Sequence, residues 1–372
     1  MNSIEELLKT HCPNGVEYKP LGEVCEIYDN LRKPVAKDKR VKGNYPYYGA
    51  NGIQDYVNDY LFEGEYLLIG EDGSVINKDK SPVLHFVSGK FWANNHAHVI
   101  QSKNYNLRFI YYALQCCNIF ELVKGTPPKL NQDNLKKIKI PIPPLIVQEK
   151  IVSILDTFTE LEAELEAELE ARKKQYAYYR EKLLSFDYLD SITGGGISYM
   201  ALGEVCEIKT GSKPNNISNE FLEFEYINAG TTNSGYVTQY NFQANTITTP
   251  SRGQGGIGFV GFQSKNFWLG PLCYGIRVKS ESELMAKYLY YYLQENNNLL
   301  LEIKNSGGVP SVNLSDLQTI TIQIPPLEIQ EKIVSILDKF ESLANDLSQG
   351  LPAEIKARKK QYEYYREKLL SF

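Results

Sequence analysis

Apolar residues recur every three or four positions over a long stretch from about residue 145 to residue 186. This spacing predicts an amphipathic helix, with apolar positions at Ile151, Ile154, Leu155, Phe158, Leu161, Leu165, Leu169, Tyr176, Tyr179 and Leu183. About 40 helical residues would extend roughly 60 Å. A helix of that length with one apolar stripe needs a partner, and a stretch of similar pattern at about 327–372 is the natural one. The sequence GLP at 350–352 is expected to kink or interrupt this second helix.

The two regions outside the long helices, 19–144 and 199–326, have a different pattern. Short runs at 65–69, 83–87 and 245–249 have the composition of β-strands, and glycine-rich turns separate such runs. One helix in each region, near 107–115 and 285–294, is expected to close the sheet. The predicted fold class is α+β, with two tandem mixed domains and two long helices.

The chain repeats one unit twice. LGEVCEI occurs at 21–27 and 202–208, and IPPL followed by QEKIVSILD begins at 142 and again at 324. ARKKQY and the following YYREKLLSF, which end at 186, recur at the C-terminus. The helical blocks are nearly identical whereas the interiors of the globular regions have diverged, which favours a shared scaffold with two different targets. The expected organisation is a first globular domain at 1–144, a spacer helix at 145–186, a linker at 187–198, a second globular domain at 199–326 and a second spacer helix at 327–372.

The composition is that of an ordinary globular protein, with 42% hydrophobic and 23% charged residues among 372. No run of eighteen apolar residues occurs, and the first ten residues lack the apolar core of a signal peptide, so neither a membrane span nor a leader is expected. Six cysteines without a C-x-x-C pair favour free thiols in the cytoplasm. The net charge of −5 counts little against nucleic acid, because glutamates at 160–170 carry much of the acidic excess.

Signatures of enzymes are missing from the sequence. There is neither an Asn-Pro-Pro-aromatic motif for methyl transfer nor a G-x-x-x-x-G-K-[ST] phosphate loop. Glu302 and Lys304 have the acid-x-Lys spacing of metal-dependent nucleases, but a surface pair is the better interpretation. His96 and His98 could share one face of a strand, yet no third zinc ligand is evident nearby. The sequence therefore predicts no catalytic residue and no metal site.

Polar side chains in loops are the candidates for DNA contact. GEDG at 70–73 and SRGQG at 251–255 are either hairpin turns or groove-facing loops, in which Arg252 would contact guanine or phosphate and Glu71 or Asp72 would accept from cytosine. KGTPPK at 124–129 and KNSGGVP at 304–310 suit phosphate, or are simple loops. The full candidate set is Tyr47, Tyr48, Asn51, Glu71, Asp72, Ser74, Asn94, Asn95, His96, Lys124, Thr126, Lys129, Lys213, Asn228, Ser251, Arg252, Gln254, Lys304 and Ser306.

A basic segment is repeated on both long helices. Such a segment is usually a solvated face, but its near-identity in the two halves favours a common protein partner. The residues predicted to bind that partner are Arg172, Lys173, Lys174, Tyr176, Arg358, Lys359, Lys360 and Tyr362.

The combination of these repeated blocks resembles the specificity subunit of type I restriction-modification systems, and the resemblance covers nearly the whole chain. YPYYGA at 45–50, GEYLLIGEDG at 64–73 and NNHAH at 94–98 are also similar to recognition domains of that family. One departure is the four-residue excess near 350–352, which makes the two helical arms unequal. The competing interpretation is a coiled-coil scaffold that assembles partners without reading DNA.

The resemblance implies that each globular domain reads one half of a split site in double-stranded DNA. It also implies that the helices pack antiparallel, in a pseudo-two-fold arrangement, and set the spacing. Two methyltransferase subunits would dock on them with S-adenosylmethionine, and restriction subunits would add ATP- and Mg-dependent steps. The family places no catalytic residue and no cofactor in this chain.

A tetrapeptide repeat, LEAE-LEAE-LEA at 161–171, is either a plain solvated helix or a ruler. Four helical residues turn about 400°, a net drift of about 40°, with about 6 Å of rise. B-DNA turns about 34–36° per base pair. One added tetrapeptide would therefore rotate an attached domain by nearly one base pair of twist, which is the ruler hypothesis.

Overall fold

The computed structural model describes residues 2–229, 231–253, 255–305, 307–345 and 349–372. These residues form two compact units. Unit 1 comprises Met1–Leu165 and Ile355–Phe372, and unit 2 comprises Glu166–Glu354. Both units combine helices with β-sheets, so the predicted α+β class is confirmed. In the part of the chain described here, no helix is both long and apolar enough to cross a membrane.

Unit 1 is built around a six-stranded sheet. The elements from the N-terminus to the long helix are α1 Asn2–His11, β1 Tyr18–Pro20, α2 Leu21–Val24, β2 Cys25–Ile27, β3 Lys42–Gly49, β4 Gly52–Val57, β5 Phe62–Gly70, β6 Leu84–Ala93, β7 Ala97–Ser102, α3 Leu107–Gln115, α4 Gln132–Lys136, β8 Lys139–Pro141 and α5 Leu145–Leu184. The strand order is β2-β7-β5-β6-β3-β4, with β3 and β6 parallel and the other neighbours antiparallel. The predicted strands at 65–69 and 83–87 fall in β5 and β6, and the predicted helix is α3.

Both faces of the central strand β5 are buried, because successive side chains of a strand point to opposite sides. Leu67 and Ile69 pack in a cluster with α3 and the start of α5, while Leu68 packs on the other face with Phe62 and Phe91. The continuous apolar run in the middle of β5 is the sequence signature of a strand covered on both faces.

Unit 2 has a related order of elements, with shorter strands that form separate sheets. Its elements after α5 are α6 Phe186–Thr193, β9 Ser198–Ala201, α7 Leu202–Val205, β10 Cys206–Thr210, β11 Phe224–Ile227, β12 Tyr236–Val237, β13 Thr246–Pro250, β14 Gly261–Gln263, β15 Trp268–Leu269, β16 Cys273–Val278, α8 Ala286–Glu295, α9 Asn298–Glu302, α10 Leu314–Gln318, β17 Thr321–Ile324 and α11 Leu327–Asn345. One sheet has the order β10-β16-β13-β14 and another the order β12-β11-β15. The predicted strand at 245–249 is β13, and the predicted second helix is α8.

The segment expected to be a linker, 187–198, is largely helical. Ser185 caps α6 by accepting from the Tyr188 N–H group, and Gly194 ends the helix in a left-handed conformation with φ +61°. Leu189 is fully buried in the core of unit 2. This segment is therefore part of unit 2.

The second long helix is interrupted, as GLP at 350–352 predicts. The helix α11 ends at Asn345, Gln349 and Gly350 are not helical, and α12 runs over Leu351–Leu370. In unit 1, α12 packs antiparallel to the first part of α5: the Phe158 and Tyr365 rings stack 5.4 Å apart, and Lys359 pairs with Glu162 at 3.1 Å. The pairing of long helices predicted from their apolar stripes is thus present in unit 1.

A buried glutamine joins each globular part to its helix. Gln148 Nε2 donates to the Pro143 carbonyl at 2.7 Å, and its Oε1 accepts from the Asn106 N–H group at 3.0 Å. Gln330 makes the corresponding bonds in unit 2, to the Pro325 carbonyl and from Met285 N–H, both at 2.8 Å. The buried glutamine side chain, with its donor and acceptor both paired, links the Pro-Pro turn to the start of α3 in unit 1 and of α8 in unit 2. This accounts for the repeated glutamine in QEKIVSILD.

The repeated helix ends also act inside the chain. In unit 2, Arg180 Nη1 donates to Gln294 at 3.1 Å. In unit 1, Arg366 Nη1 donates to Gln115 at 2.9 Å. The end of the first helical repeat is therefore hydrogen-bonded within unit 2, and the end of the second within unit 1, by equivalent arginine–glutamine pairs.

Candidate nucleic-acid interface

In unit 1, the loop after β5 is held by backbone hydrogen bonds to two other loops. The Glu71 N–H group donates to the His96 carbonyl at 2.8 Å, and the Leu130 N–H group donates to the Glu71 carbonyl at 2.8 Å. Gly73 N–H donates to the Pro128 carbonyl at 3.0 Å. The three predicted DNA-contacting loops, at 70–73, 94–96 and 124–129, therefore lie side by side.

Unit 2 holds its loop after β13 with the same pattern. Ser251 N–H donates to the Leu272 carbonyl and accepts, through its own carbonyl, from Val312 N–H, both at 2.9 Å. Gly253 N–H donates to the Pro310 carbonyl at 3.0 Å. The two loops are therefore equivalent in backbone structure.

This equivalence pairs residues across the two units. Glu71 corresponds to Ser251 and Asp72 to Arg252. Asp72 forms an isolated antiparallel bridge with Lys129, as Arg252 does with Ser311. The same loop position thus carries an acidic residue in unit 1 and a basic residue in unit 2.

An ionic network lies beneath the unit 1 loop. Arg32 pairs with Glu71 at 2.6 Å and with Asp29 at 3.3 Å, and it also donates to the Ala97 carbonyl at 2.7 Å. His98 Nδ1 contacts the Asp29 carboxylate at 2.6 Å. The Arg32, Asp29 and Glu71 side chains are only 10–14% exposed. Burial opposes ionisation of Asp29, but the hydrogen bond and charge of His98, together with Arg32, hold the pKa of this carboxyl below its ordinary value.

The network changes the interpretation of Glu71. Its carboxylate is held by Arg32, and Lys129 also pairs with it, at 3.4 Å. The predicted base contact of Glu71 is therefore wrong: its carboxylate is engaged in ion pairs that hold the loop. Asp29, Glu71 and His98 also bring potential metal-ligand atoms within 4.8 Å of one another. The guanidinium between the two carboxylates supplies the positive charge that a cation would bring, so this cluster is an ion-pair network.

Asp72, in contrast, is outside this network and has a histidine beside it. His96 Nδ1 hydrogen-bonds to Asp72 Oδ1, and both side chains remain partly exposed, at 48% and 27% respectively. The His96 N–H group donates to Asn94 Oδ1 at 2.8 Å, and Asn94 Nδ2 donates to Gln54 at 3.3 Å. Asn94 is 3% exposed, so it positions His96 and is not itself accessible to a base. Asn95 is exposed.

In unit 2 a tyrosine hydroxyl takes the place of the buried histidine among the described residues under the loop. The Tyr274 hydroxyl donates to the Val312 carbonyl at 2.9 Å, which is the role that His98 has in unit 1, where Nε2 contacts the Leu130 carbonyl at 2.7 Å. Ser251 is nearly buried at 9%. Arg252 is exposed, and none of the described residues forms a hydrogen bond or ion pair with its guanidinium.

Tyr47 is a core residue, and this corrects its predicted DNA contact. It is 1% exposed, its hydroxyl accepts from the Val35 N–H group at 2.9 Å, and Arg40 lies over its ring at 4.2 Å. Its neighbour Tyr48 is half-buried against Phe91, and burial raises the pKa of the Tyr48 hydroxyl.

The remaining candidates divide by exposure. Asn228 is half-buried and accepts from the Leu272 N–H group at 3.0 Å, so it shapes the loop of unit 2. Ser74 is also half-buried. Gln254 and Ser306 lie outside the described residues. The exposed candidates are Asn51, Lys124, Thr126, Lys129, Lys213 and Lys304.

The basic segments on the helices are only partly free for a partner. Tyr176 is 7% exposed and its hydroxyl donates to Gln294 at 3.4 Å, while the Tyr362 hydroxyl donates to Gln115 at 3.2 Å. Burial raises the pKa of Tyr176 to about 12. For these two tyrosines the structure corrects the prediction, because they face their own units. Four lysines of the segments are exposed: Lys173, Lys174, Lys359 and Lys360. Arg172 pairs with Glu168 at 2.9 Å, and Arg358 is half-buried and donates to Gln361 at 3.1 Å.

Sequence reasoning missed Arg32 and Asp29. Their partners lie far away along the chain, and neither is part of a repeated block. At the place of Asp29, two residues after the repeated LGEVCEI, the second half has Thr210. The signal in the sequence was weak: two residues of opposite charge, Asp29 and Arg32, shortly after the repeated strand β2.

Comparison with known proteins matches two successive segments of the chain to one family. Residues 13–171 and 196–357 match the family described as type I restriction modification DNA specificity domain. A Haemophilus influenzae protein named for the specificity subunit of a type I restriction enzyme is 40% identical, over 99% of this chain and 98% of its own length. The specificity subunit of the Escherichia coli type I restriction enzyme EcoR124I/EcoR124II is 31% identical, over 96% and 94%.

A solved structure shares the fold. The crystal structure of a type I restriction-modification S subunit from M. genitalium aligns with a TM-score of 0.69 over 96% of this chain and 97% of that chain, at 17% identity. At such low identity the likeness concerns the fold alone.

Proposed function

The chain belongs to the type I restriction-modification DNA specificity family, and we propose that each of its two units reads one half of a divided site in double-stranded DNA. A DNA-reading role comes with membership of this family. The finer assignment, one half-site for each unit, is our inference from the duplication.

One observation carries the proposal. Two loops with the same backbone hydrogen bonds present different side chains, Asp72 in unit 1 and Arg252 in unit 2. The same loop backbone carrying different side chains suits two domains that read different sequences, because base edges are distinguished by their hydrogen-bond donors and acceptors. Exposed lysines beside the loops, such as Lys124 and Lys304, suit the phosphates that position a protein on DNA.

The long helices are the proposed docking site for the rest of the complex. We assign two methyltransferase subunits to the exposed lysines that the two helical repeats share, Lys173 with Lys174 and Lys359 with Lys360. Methyl transfer from S-adenosylmethionine would take place in those subunits, and ATP- and Mg-dependent steps in restriction subunits. This chain would then contribute recognition and spacing and no catalytic group.

The tetrapeptide repeat within α5 is the proposed ruler. Residues 161–171 lie in an uninterrupted helix, so removing one LEAE unit shortens that helix by about 6 Å and turns the remainder of the helix by about 40°. The rotation corresponds to about one base pair of DNA twist and the shortening to about two base pairs of rise, so we expect the gap between the half-sites to shrink by about one or two base pairs, with both half-sites unchanged.

The test is to express the chain with its methyltransferase partner and to map methylated adenines in the host genome. A divided sequence motif is expected, and deletion of 165–168 should alter only its gap. A continuous motif, or an unchanged gap, would refute the respective proposal. If methylation did not depend on this chain, the alternative of a scaffold that does not read DNA would be favoured instead.

A further inference from the structure

We propose that one loop position sets base discrimination in both units, with Asp72 reading in unit 1 and Arg252 in unit 2. This inference rests on the proposed function and makes it specific. A carboxylate selects a base that offers an exocyclic amino group, cytosine or adenine, whereas a guanidinium selects guanine through its N7 and O6 acceptors. The two half-sites should therefore contain bases of opposite hydrogen-bonding character at corresponding places.

The equivalence of the two positions comes from the backbone. In each unit the residue before the reader is bonded on both sides, by its N–H group and by its carbonyl, and the glycine after the reader donates to a proline carbonyl, Pro128 or Pro310. Three shared hydrogen bonds fix the path of the loop, so Asp72 and Arg252 leave it at the same point. Because the loop backbone is the same in both units, the units differ at this point only in the side chain, which is acidic in unit 1 and basic in unit 2.

Asp72 is the reader in unit 1 because its neighbour Glu71 is already engaged. Glu71 is held by Arg32, whereas Asp72 has one oxygen bonded to His96 and its other oxygen, Oδ2, has no partner among the described residues. His96 is itself fixed by Asn94. A carboxylate held at one oxygen and free at the other is a positioned acceptor, which reduces the entropy lost when it binds a base.

Arg252 is the reader in unit 2 because none of the acids in the described residues forms an ion pair with it. Ser251 and Tyr274 stand where unit 1 has the Glu71 carboxylate and His98, so the residue next to the reader carries no acid that could pair with it. No described residue pairs with the guanidinium. Five donors in a planar fork are then available to a guanine edge, and bidentate arginine–guanine pairing is the commonest specific contact in the major groove.

The experiment uses the complex of the full chain with its methyltransferase partner. DNA carrying the mapped site, with each half-site randomised in turn, is methylated by the wild type, Asp72→Asn and Arg252→Gln. Loss of a bidentate base contact corresponds to about 5-fold to about 150-fold weaker discrimination at one base; this range applies to Arg252, and the single acceptor of Asp72 should give an effect near its lower end. We expect Asp72→Asn to relax one cytosine or adenine position of the first half-site only, and Arg252→Gln to relax one guanine position of the second only.

Each variant carries its own control, because the other half-site reports on folding and assembly. Glu63→Gln is a matched control: Glu63 lies on the same strand β5 outside the loop and is 60% exposed, so removing its charge should leave base preference unchanged. For a variant that methylates too weakly to score, competition binding of the same library to the same complex measures the discrimination.

Two results would overturn the inference. A uniform loss of methylation and binding over all sequences, with preference unchanged, would show that the side chain contacts phosphate or supports the loop. Loss of discrimination in both half-sites from one variant would show an effect on assembly. Neither result would affect the proposed function, which fails only if the wild-type complex has no divided target.

Discussion

Replacing Arg32 by alanine is the sharpest test of the network under the unit 1 loop. Arg32 binds two carboxylates, Glu71 at 2.6 Å and Asp29 at 3.3 Å, and a backbone carbonyl, that of Ala97. Its removal leaves two negative charges close together and largely out of water. We expect unit 1 to lose stability while unit 2, which has no such network at the equivalent loop among its described residues, keeps its own.

The size of the effect depends on the burial of the network. Breaking a buried ion pair on one side costs about 3–5 kcal/mol. The three side chains of the network retain 10–14% exposure, so solvent screens them slightly and the lower end, about 3 kcal/mol, applies. Lys129→Ala is the matched control: it also removes a partner of Glu71, at 3.4 Å, but Lys129 is 52% exposed, and an exposed pair contributes about 1 kcal/mol or less.

Hydrogen exchange resolves the effect by region. Amides of β5 and β7 in unit 1 should exchange on the order of 100-fold faster in Arg32→Ala, the equivalent of about 3 kcal/mol. Amides of β13 and β16 in unit 2 should be unchanged. Equal acceleration in both units, or an effect of Lys129→Ala as large as that of Arg32→Ala, would refute the reasoning.

Three further predictions concern stability. Gln148→Ala and Gln330→Ala each leave a buried backbone donor and acceptor unpaired, so each should lower the free energy of unfolding of its own unit by about 2 kcal/mol or more. Urea unfolding with region-resolved hydrogen exchange measures this. A loss well below that size would show that the glutamine does not hold the sheet and the long helix together. Because the pKa of Asp29 is lowered in the folded state, its contribution is full above its unfolded pKa of about 3.9 and is lost as the pH falls through the lower folded value. Acid titration of unfolding should therefore show a loss in unit 1 that Asp29→Asn abolishes, and an unchanged profile would reject it. Leu369→Ala should destabilise unit 1 and its repeat mate Leu183→Ala unit 2, by about 2 kcal/mol or more; the reverse assignment would contradict the packing of the helix ends.

The candidate site was predictable down to its loops but not to its individual contacts. The loops at 70–73, 94–96 and 124–129 are visible in the sequence because glycine, proline and asparagine mark turns. Within them, Glu71 and Asp72 are indistinguishable, since both are acids between two glycines. Only Arg32, which lies 39 positions before Glu71, separates the brace from the group that is free to read a base.

The duplication, the tandem α+β order, a long helix from about 145 to 186 and the break near Gly350 were determined by the sequence alone. They depend on local spacing, on proline and glycine chemistry and on the repetition of blocks, all of which are visible along the chain. The tertiary structure decided which side chains are engaged: it buried Tyr47, paired Glu71, and turned Tyr176 and Tyr362 toward their own units. Those outcomes depend on partners far apart in sequence, and no local pattern encodes which distant charge or amide a side chain will meet when the core forms.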